Sequence, residues 1–448
     1  GLAGEGAVCI DGSDAGFYYA PPAAAEGSTM WHLFFEGGGW CYDEVDCWGR
    51  SQTYLGSSKT WPKVISHASG LSSDDCTVNP DLCNAHHVLF KYCDGNSFTG
   101  DRAEPLKVTG PGGAERALYF RGRRILDAVL DTLLDHMGLA SAETVLLAGC
   151  SAGGLATYLH ADYVHKVLQE RAKGLQKYRV APVSGFFLKH TTVEGKPVYE
   201  DQMKTIFQLA NSSGGVNERC IAAHAPDEHW KCNFAEFTYP HIESPIFILN
   251  SALDSWQMGC IYTADYPYGY PKQTAIGNGN CTAVAGWKAC ALSPEQCSDG
   301  QVEKLNDYIS DFDATLRGSS TFSKAGNGAF VVSCHTHCEA QSDSFWKTFA
   351  VNGVTMQEAF SAWWKSEDEP AEKHSYSPCF YRSGTPHRPL VAAVLKFHSS
   401  CFDRLARVLV LFLAFFVVAV FVARIVQPHL RKDLPSRTPD LVAQSEKP

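Results

Sequence analysis

The pentapeptide Gly149–Gly153 reads GCSAG and matches the pattern G-x-S-x-G. It follows the apolar run Thr144–Ala148 and precedes a helical stretch, which is the context of a serine nucleophile on a sharp strand-to-helix turn. Small flanking residues are needed there because neighbouring backbone passes close, and the amide of Ala152 at the helix start can stabilise an oxyanion. The pattern predicts Ser151 as a nucleophile. A turn of small residues without chemistry is the alternative.

A serine nucleophile needs a base and an acid, and two later strand ends offer them. Asp254 lies just beyond the apolar run Pro245–Asn250, and His337 lies beyond the run Ala329–Ser333. The order serine, acid, histidine is the one that this type of strand–turn–helix nucleophile uses. We therefore expect Asp254 to orient the imidazole of a histidine in the segment Cys334–Cys338, such as His337. A turn aspartate and a structural histidine are the alternatives.

Metal binding is the other chemistry that the histidine segment offers, because four possible ligands lie close together: Cys334, His335, His337 and Cys338. Structural zinc usually takes two ligand pairs that are separated in sequence, each with a spacer between its members. Adjacent cysteine and histidine side chains do not easily direct four donors at one tetrahedral ion. We expect no metal and no other cofactor.

The segment Phe35–Cys41 (FEGGGWC) contains three consecutive glycines directly after an apolar run. Glycines leave backbone amides free to face a substrate oxygen without side chains in the way. The amides of this loop, together with that of Ala152, are therefore expected to stabilise an oxyanion. A flexible turn is the alternative. A phosphate-binding loop is not expected, because no G-K-[ST] sequence follows.

Short apolar strands that alternate with helices must position these residues. Runs of this kind are typical of strands buried on both faces of a sheet, and the stretches Glu115–Met137 and Ala152–Arg171 have helical patterns. Alternation of strands and helices predicts an α/β fold, with a mostly parallel sheet flanked by helices. The predicted strands are Trp31–Phe35, His87–Tyr92, Thr144–Ala148, Pro245–Asn250 and Ala329–Ser333.

Composition and charge exclude several classes of protein. The chain has 448 residues, of which 45% are hydrophobic and 19% charged, so it is globular and long enough to bury a large core. Its 38 basic residues against 48 acidic ones give a net charge of -10. Because nucleic-acid-binding proteins carry a basic excess, we expect no nucleic-acid partner.

The cysteine content points to an oxidising compartment, because 17 cysteines are many for a protein of reducing surroundings. The catalytic part is therefore expected to face the extracellular space or the lumen of the secretory pathway. The sequons that begin at Asn211 and Asn280 are glycosylation candidates, although two are expected by chance in a chain of this length. Short spacings predict local bridges, and the rest of the connectivity stays open: the predicted pairs are Cys41–Cys47, Cys76–Cys83 and Cys220–Cys232.

The segment Leu405–Val426 departs from the rest of the chain because it is almost wholly apolar. As a helix it would measure about 33 Å, and arginines near both ends can snorkel towards the interface. It is apolar all round, which favours a transmembrane helix over a buried or amphipathic one. The expected division is a catalytic domain over 1–390, a juxtamembrane segment over 391–404, a membrane anchor over 405–426 and a polar tail over 427–448.

Five longer stretches carry a resemblance that goes beyond the pentapeptide. They occur in family order, and together they resemble the pectin acetylesterase family, with its animal relatives of the Notum type, over nearly all of residues 6–365. The stretches are FFEGGGWC (Phe34–Cys41), KYCDGNSFTGD (Lys91–Asp101), LLAGCSAGG (Leu146–Gly154), NSALDSWQ (Asn250–Gln257) and SCHTHC (Ser333–Cys338).

This resemblance implies an α/β-hydrolase-like fold and a Ser-His-Asp triad without a metal. His335 stands where the family more often has an aromatic residue, and a C-terminal anchor departs from relatives that are usually secreted. On the matching motifs the resemblance implies a nucleophile, an acid, a base and three oxyanion amides, which are Ser151, Asp254, His337, Gly38, Gly39 and Ala152 in that order.

The expected function is that of a serine carboxylesterase acting on O-acetyl esters of a pectin-type polysaccharide. Pectin is a polyanion and this chain is acidic, so like charges slow their encounter unless the cleft itself is basic. A Notum-like enzyme that removes a fatty acyl group from a lipidated protein is the first alternative. A membrane-anchored glycan-binding or scaffold ectodomain is the alternative without catalysis.

Overall fold

The apolar runs of the sequence form the centre of an eight-stranded sheet. In a computed structural model of the protein, the described residues are 6–22, 27–66, 68–265 and 281–366, together with the backbone of 374–376. The strands in chain order are β1 (Phe17–Ala20), β2 (Met30–Phe35), β3 (His86–Phe90), β4 (Leu106–Thr109), β5 (Glu115–Leu118), β6 (Thr144–Cys150), β7 (Lys177–Val183), β8 (Phe247–Ser251), β9 (Gly328–Val332), β10 (Ala350–Val351), β11 (Val354–Thr355) and β12 (His374–Tyr376).

The main sheet has the strand order β1-β3-β2-β6-β7-β8-β9-β12. Strand β1 is antiparallel to β3, and the other neighbours in this sheet run parallel. Strands β6 and β9 are buried almost along their whole length, as expected where helices cover both faces of a parallel sheet. The prediction of a mostly parallel sheet flanked by helices is confirmed.

The helices fill the connections between the strands. Helix α3 spans the residues that the sequence predicts, and its first three turns are buried. The helices are α1 (Glu44–Arg50), α2 (Gly122–His136), α3 (Ala152–Arg171), α4 (Val198–Leu209), α5 (Glu218–Ala223), α6 (Ala235–Thr238), α7 (Ser255–Gln257), α8 (Lys288–Leu292), α9 (Asp299–Gly318), α10 (Asp343–Thr348) and α11 (Met356–Lys365).

The predicted helix Glu115–Met137 is wrong in its first part. Residues Glu115–Leu118 form strand β5, which pairs antiparallel with β4, and helix α2 begins only at Gly122. The hairpin forms because of the turn between its two strands, where Gly112 and Gly113 have φ values of 79° and 81°. Glycines adopt this left-handed backbone without a steric penalty, so a Pro-Gly-Gly turn favours a hairpin over a helix start.

Seven disulfides cross-link the described residues, and the three predicted local bridges are confirmed. Of the other four, two join segments far apart in the sequence, with separations of 84 and 188 residues. The bridges are Cys9–Cys93, Cys41–Cys47, Cys76–Cys83, Cys150–Cys338, Cys220–Cys232, Cys260–Cys281 and Cys290–Cys297.

The predicted segments 391–404, 405–426 and 427–448 lie outside the described residues, and so does the end of the predicted catalytic domain. Of the helices in the described ranges, none combines the length and the apolar character that a bilayer crossing requires.

The parallel sheet explains why distant motifs meet. Strands β2, β6, β8 and β9 run in the same direction, so the loops that follow them leave from one edge of the sheet. The carboxyl ends of parallel strands are where α/β folds place their ligand sites. The three-glycine loop, Ser151, Asp254 and His337 all follow these strand ends.

Candidate active site

Ser151 occupies a strained turn between β6 and α3. Its backbone has φ 61° and ψ −126°, a combination that non-glycine residues rarely adopt. The Ser151 amide donates to the carbonyl of Val183 at 3.0 Å, and the Ser151 carbonyl accepts from the amide of Leu155 at 2.9 Å. The neighbouring strand and the first turn of the helix therefore hold the strained residue in place.

Small residues around Ser151 are required by close backbone contacts. A Cβ atom on Gly153 would lie 2.1 Å from the carbonyl oxygen of Phe35. A Cβ atom on Gly37 would lie 2.3 Å from the carbonyl oxygen of Cys150 and 2.9 Å from the Cβ of Ser151. The three-glycine loop is thus packed directly against the turn of Ser151, the candidate nucleophile, which we call the nucleophile turn.

The three-glycine loop has a left-handed backbone, with φ 148° at Gly38 and φ 61° at Gly39. Its carbonyls are used inside the protein, because that of Gly38 accepts from Arg50 Nη1 at 2.9 Å and that of Gly39 accepts from the Tyr92 hydroxyl at 2.8 Å. Within the described ranges, the amides of Gly38, Gly39 and Ala152 donate to no protein group. These amides are therefore available to an oxygen of a bound substrate.

Ser97 connects the glycine loop to the nucleophile turn, and the sequence analysis did not single it out. Its hydroxyl accepts from Trp40 Nε1 at 2.8 Å and donates to the carbonyl of Ala152 at 2.8 Å. Ser97 itself is fully buried and has φ 51°. The motif KYCDGNSFTGD contains it, but no local pattern reveals that its side chain bridges two distant loops.

Asp254 and His337 form a direct hydrogen-bonded pair. His337 Nδ1 lies 2.7 Å from Asp254 Oδ2. The other carboxylate oxygen, Oδ1, accepts from the amides of Trp256 at 3.0 Å and Gln257 at 3.1 Å, which caps helix α7. Asp254 is fully buried, so one carboxylate orients the imidazole and the helix at the same time.

The charge of the imidazole is set by opposing influences. Burial is the largest of them and lowers the pKa of His337, but the charge and hydrogen bond of Asp254, together with the charge of Glu339, outweigh it and raise the pKa above its usual value. An imidazole that is more basic than usual and fixed at Nδ1 is suited to accept a proton at Nε2.

A disulfide joins the loop of His337 to the turn of Ser151. Cys150 directly precedes the serine, Cys338 directly follows the histidine, and their Cα atoms lie 5.8 Å apart. A ring nitrogen of His337 lies within 4.8 Å of the Cys150 sulfur. The same bridge bears on metal binding, because Cys338 has no thiolate to offer while it is bonded to Cys150.

A second carboxyl group, Glu339, lies beside this pair and was missed by the sequence analysis. The amide of Cys338 donates to the Ser184 hydroxyl at 2.9 Å, and that hydroxyl donates to Glu339 Oε2 at 3.3 Å. Glu339 is buried, and the burial raises its pKa to about 7, with the charge of Asp254 acting in the same direction. Ser184 and Glu339 thereby hold the segment that follows His337.

His335 does not share the position of His337. Burial lowers its pKa, and its buried Nε2 atom has no hydrogen-bond partner among the residues that the structure describes. Of the two histidines in SCHTHC, His337 makes the hydrogen bond with Asp254.

One of the two predicted glycosylation positions can be placed. Asn211 is exposed, and its Nδ2 donates to the carbonyl of Asp101 at 3.2 Å. Asn280 lies outside the described residues.

Comparison with known proteins shows which family the chain resembles. The family model described as Pectinacetylesterase matches residues 2–382. Pectin acetylesterase 11 of Arabidopsis thaliana is 31% identical over 80% of this chain and 84% of its own length. Pectin acetylesterase 7 of the same plant is 31% identical over 76% of this chain and 79% of its own. The palmitoleoyl-protein carboxylesterase NOTUM of Mus musculus is 28% identical over 80% of this chain and 63% of its own.

These matches define the class of protein as a carboxylic ester hydrolase. Because the family model spans most of the sequence and plant relatives match over most of their length, the chain belongs to the pectinacetylesterase family.

Proposed function

We propose that the protein hydrolyses O-acetyl esters of a pectin-type extracellular or cell-wall polysaccharide, with Ser151 as nucleophile, His337 as base and Asp254 as acid in an α/β-hydrolase-like fold. The observation that carries this proposal is the 2.7 Å contact between His337 Nδ1 and Asp254 Oδ2, in a loop that a disulfide ties to the residue before Ser151. The printed names of the plant relatives support acetyl esters of pectin as the substrate class.

The first half of the reaction forms an acyl-enzyme. Ser151 Oγ attacks the ester carbonyl while His337 Nε2 takes the hydroxyl proton, and Asp254 stabilises the resulting imidazolium. The carbonyl oxygen becomes an oxyanion that the amides of Gly38, Gly39 and Ala152 stabilise, each such donor being worth on the order of 3 kcal/mol. The bond between the carbonyl carbon and the sugar oxygen then breaks, and the imidazolium gives its proton to that oxygen, which leaves as the sugar hydroxyl.

The second half returns the free enzyme. A water molecule gives a proton to His337 Nε2 and attacks the acetyl carbonyl, and collapse of the second tetrahedral intermediate releases acetic acid and restores the Ser151 hydroxyl. Every step uses the same three side chains and the same amides.

A secretory location is part of the proposal. Seven disulfides in the described residues support folding in an oxidising compartment. The apolar segment 405–426 supports attachment to a membrane, with residues 1–390 on the extracellular or lumenal side.

Removal of a fatty acyl group from a lipidated protein is the second candidate, and the similarity to a palmitoleoyl-protein carboxylesterase favours it.

The experiment that tests both candidates measures acetate release from acetylated pectin, acetylated xylan and an aryl acetate, beside fatty-acid release from a palmitoleoylated peptide. We expect acetate release that the Ser151→Ala variant abolishes. Fatty-acid release without acetate release from any of the three acetyl substrates supports the second candidate, and undiminished activity of Ser151→Ala refutes the triad.

A further inference from the structure

Three aromatic side chains border the proposed reacting centre: Trp40, Phe187 and Trp256. Trp40 directly follows Gly39 of the glycine loop, and Trp256 lies two residues after Asp254. The ring of Phe187 lies 6.3 Å from the imidazole of His337, measured between centroids. Each ring is therefore tied to a different part of the site, and we call the three the aromatic triangle.

The aromatic triangle is closed by mutual edge-to-face contacts. The ring centroids are 5.0 Å apart for Trp40 and Phe187, 5.4 Å for Trp40 and Trp256, and 5.3 Å for Phe187 and Trp256. At such distances aromatic rings are in van der Waals contact, so no slot for an alkyl chain remains between them. Tyr199 packs against Trp40 from behind, with a centroid distance of 6.0 Å.

The members of the triangle differ in how firmly they are held. Trp40 and Phe187 are 4% and 1% exposed, and Trp40 is also anchored through its indole nitrogen to Ser97. Trp256 is only partly buried. Its backbone amide donates to Asp254 Oδ1, and its indole closes the triangle against Trp40 and Phe187.

We propose that Trp256 limits the acyl group of the substrate to short chains, which rests on the proposed serine esterase function and specifies its substrate class as acetyl rather than fatty acyl esters. A methyl group beside the scissile carbonyl needs no space between the three rings. A longer acyl chain has to displace the Trp256 indole or leave the site, and either course reduces kcat/KM. Truncating Trp256 frees the space that its indole fills beside Trp40 and Phe187.

The test measures kcat/KM of the full chain for aryl esters of acetate, butyrate and octanoate. We expect the wild-type protein to prefer acetate over octanoate by about 100-fold or more, and Trp256→Ala to raise the octanoate-to-acetate ratio at least about tenfold. Trp256→Phe, which keeps an aromatic ring, should raise the ratio by a smaller factor and carries the test if Trp256→Ala does not fold.

A matched control is Trp48→Ala, a partly buried tryptophan in helix α1 whose ring lies against the β4–β5 hairpin and not at the site. Its octanoate-to-acetate ratio should equal that of the wild-type protein.

Two outcomes overturn the inference while leaving the esterase proposal intact. One is a wild-type protein that cleaves octanoate as readily as acetate, and the other is a folded Trp256 variant with an unchanged ratio. A wild-type protein that cleaves none of the esters refutes the proposed function itself.

Discussion

The nucleophile turn and the histidine loop are held in place by different means. Ser151 lies between a strand and a helix, where backbone atoms press on Gly37 and Gly153 so closely that no methyl group fits. His337 lies in an irregular loop after β9, and side chains hold that loop: the carboxylate of Asp254 and the disulfide Cys150–Cys338.

Because of this difference, we expect substitutions in the two halves of the site to have different effects on stability and activity. Backbone packing around Ser151 is part of the sheet, so its disruption should reduce the stability of the whole domain. The cross-links around His337 fix one loop, so their loss should reduce activity while the fold persists.

The largest expected effect on activity comes from Asp254→Asn. If the NH2 group of the asparagine side chain faces His337 Nδ1, it stabilises the wrong imidazole tautomer. If the side-chain oxygen faces His337 instead, the NH2 group faces the helix amides, which then lose their acceptor. We expect kcat to fall by about 10⁴-fold. Steady-state kinetics on the aryl acetate measure this, beside far-ultraviolet circular dichroism to confirm the fold. A loss of less than tenfold in a folded variant contradicts the role of Asp254.

The nucleophile turn is tested by Gly153→Ala, which adds a Cβ atom 2.1 Å from the carbonyl oxygen of Phe35. Overpacking of this severity should lower the free energy of unfolding by about 3 kcal/mol or more, because backbone and not a flexible side chain has to move. Urea denaturation measures the change. Gly174→Ala is the control, since the atom nearest to its added Cβ would be 3.8 Å away. An equal loss of unfolding free energy in both variants would show that close packing around Ser151 is not the cause.

The histidine loop is tested by removing its disulfide in the double variant Cys150→Ser/Cys338→Ser. The imidazole then loses its covalent link to the nucleophile turn, and we expect kcat to fall by about 10- to 100-fold, since a misplacement of about 1 Å has an effect of this order. The control variant Cys220→Ser/Cys232→Ser removes a bridge between helix α5 and the segment that precedes α6. If the two double variants have the same kcat at a temperature where both are folded, the disulfide does not position His337.

The smallest expected effect is a shift of the pH profile in Glu339→Gln. His337 acts as a base only when neutral, so activity is lost as the pH falls through its pKa, which lies above the usual value. The charge of Glu339 raises that pKa, so glutamine should move the acidic limb of kcat/KM to lower pH, by less than about one unit. An acidic limb of kcat/KM that stays in place, or that moves to higher pH, contradicts this effect of Glu339 on the pKa of His337. The control is Glu358→Gln, at the surface cap of α11, which should leave the profile unchanged.

Sequence patterns predicted the features that depend on local chemistry. The run Thr144–Ala148, the small residues of GCSAG and the start of the helix at Ala152 follow from steric rules that act over a few residues, and the structure has them. The order of the motifs also predicted that Asp254 and His337 meet, and they lie in contact. Their catalytic roles, with that of Ser151, remain proposals for the kinetics to test.

Features that depend on distant partners could not be predicted. Strand β7 was missed because it contains Lys177 and Arg179. The side chain of Arg179 is buried and donates to the carbonyl of Trp363, and that of Lys177 is partly buried and donates to the carbonyl of Trp364, both at the end of α11. The pairing of Cys150 with Cys338 has no local spacing signal, since 188 residues separate the two cysteines. In each case the reason lies in a segment that only the folded sheet brings near.

The same long separation has a consequence for biosynthesis. During translation the serine and its surrounding turn emerge long before residue 338 does, and the bond between the two loops has to await the later cysteine. A nascent chain that has only just exposed Ser151 therefore lacks His337, the proposed proton acceptor. On the proposed roles, ester cleavage has to await synthesis of nearly the whole described domain, and full activity also has to await this disulfide.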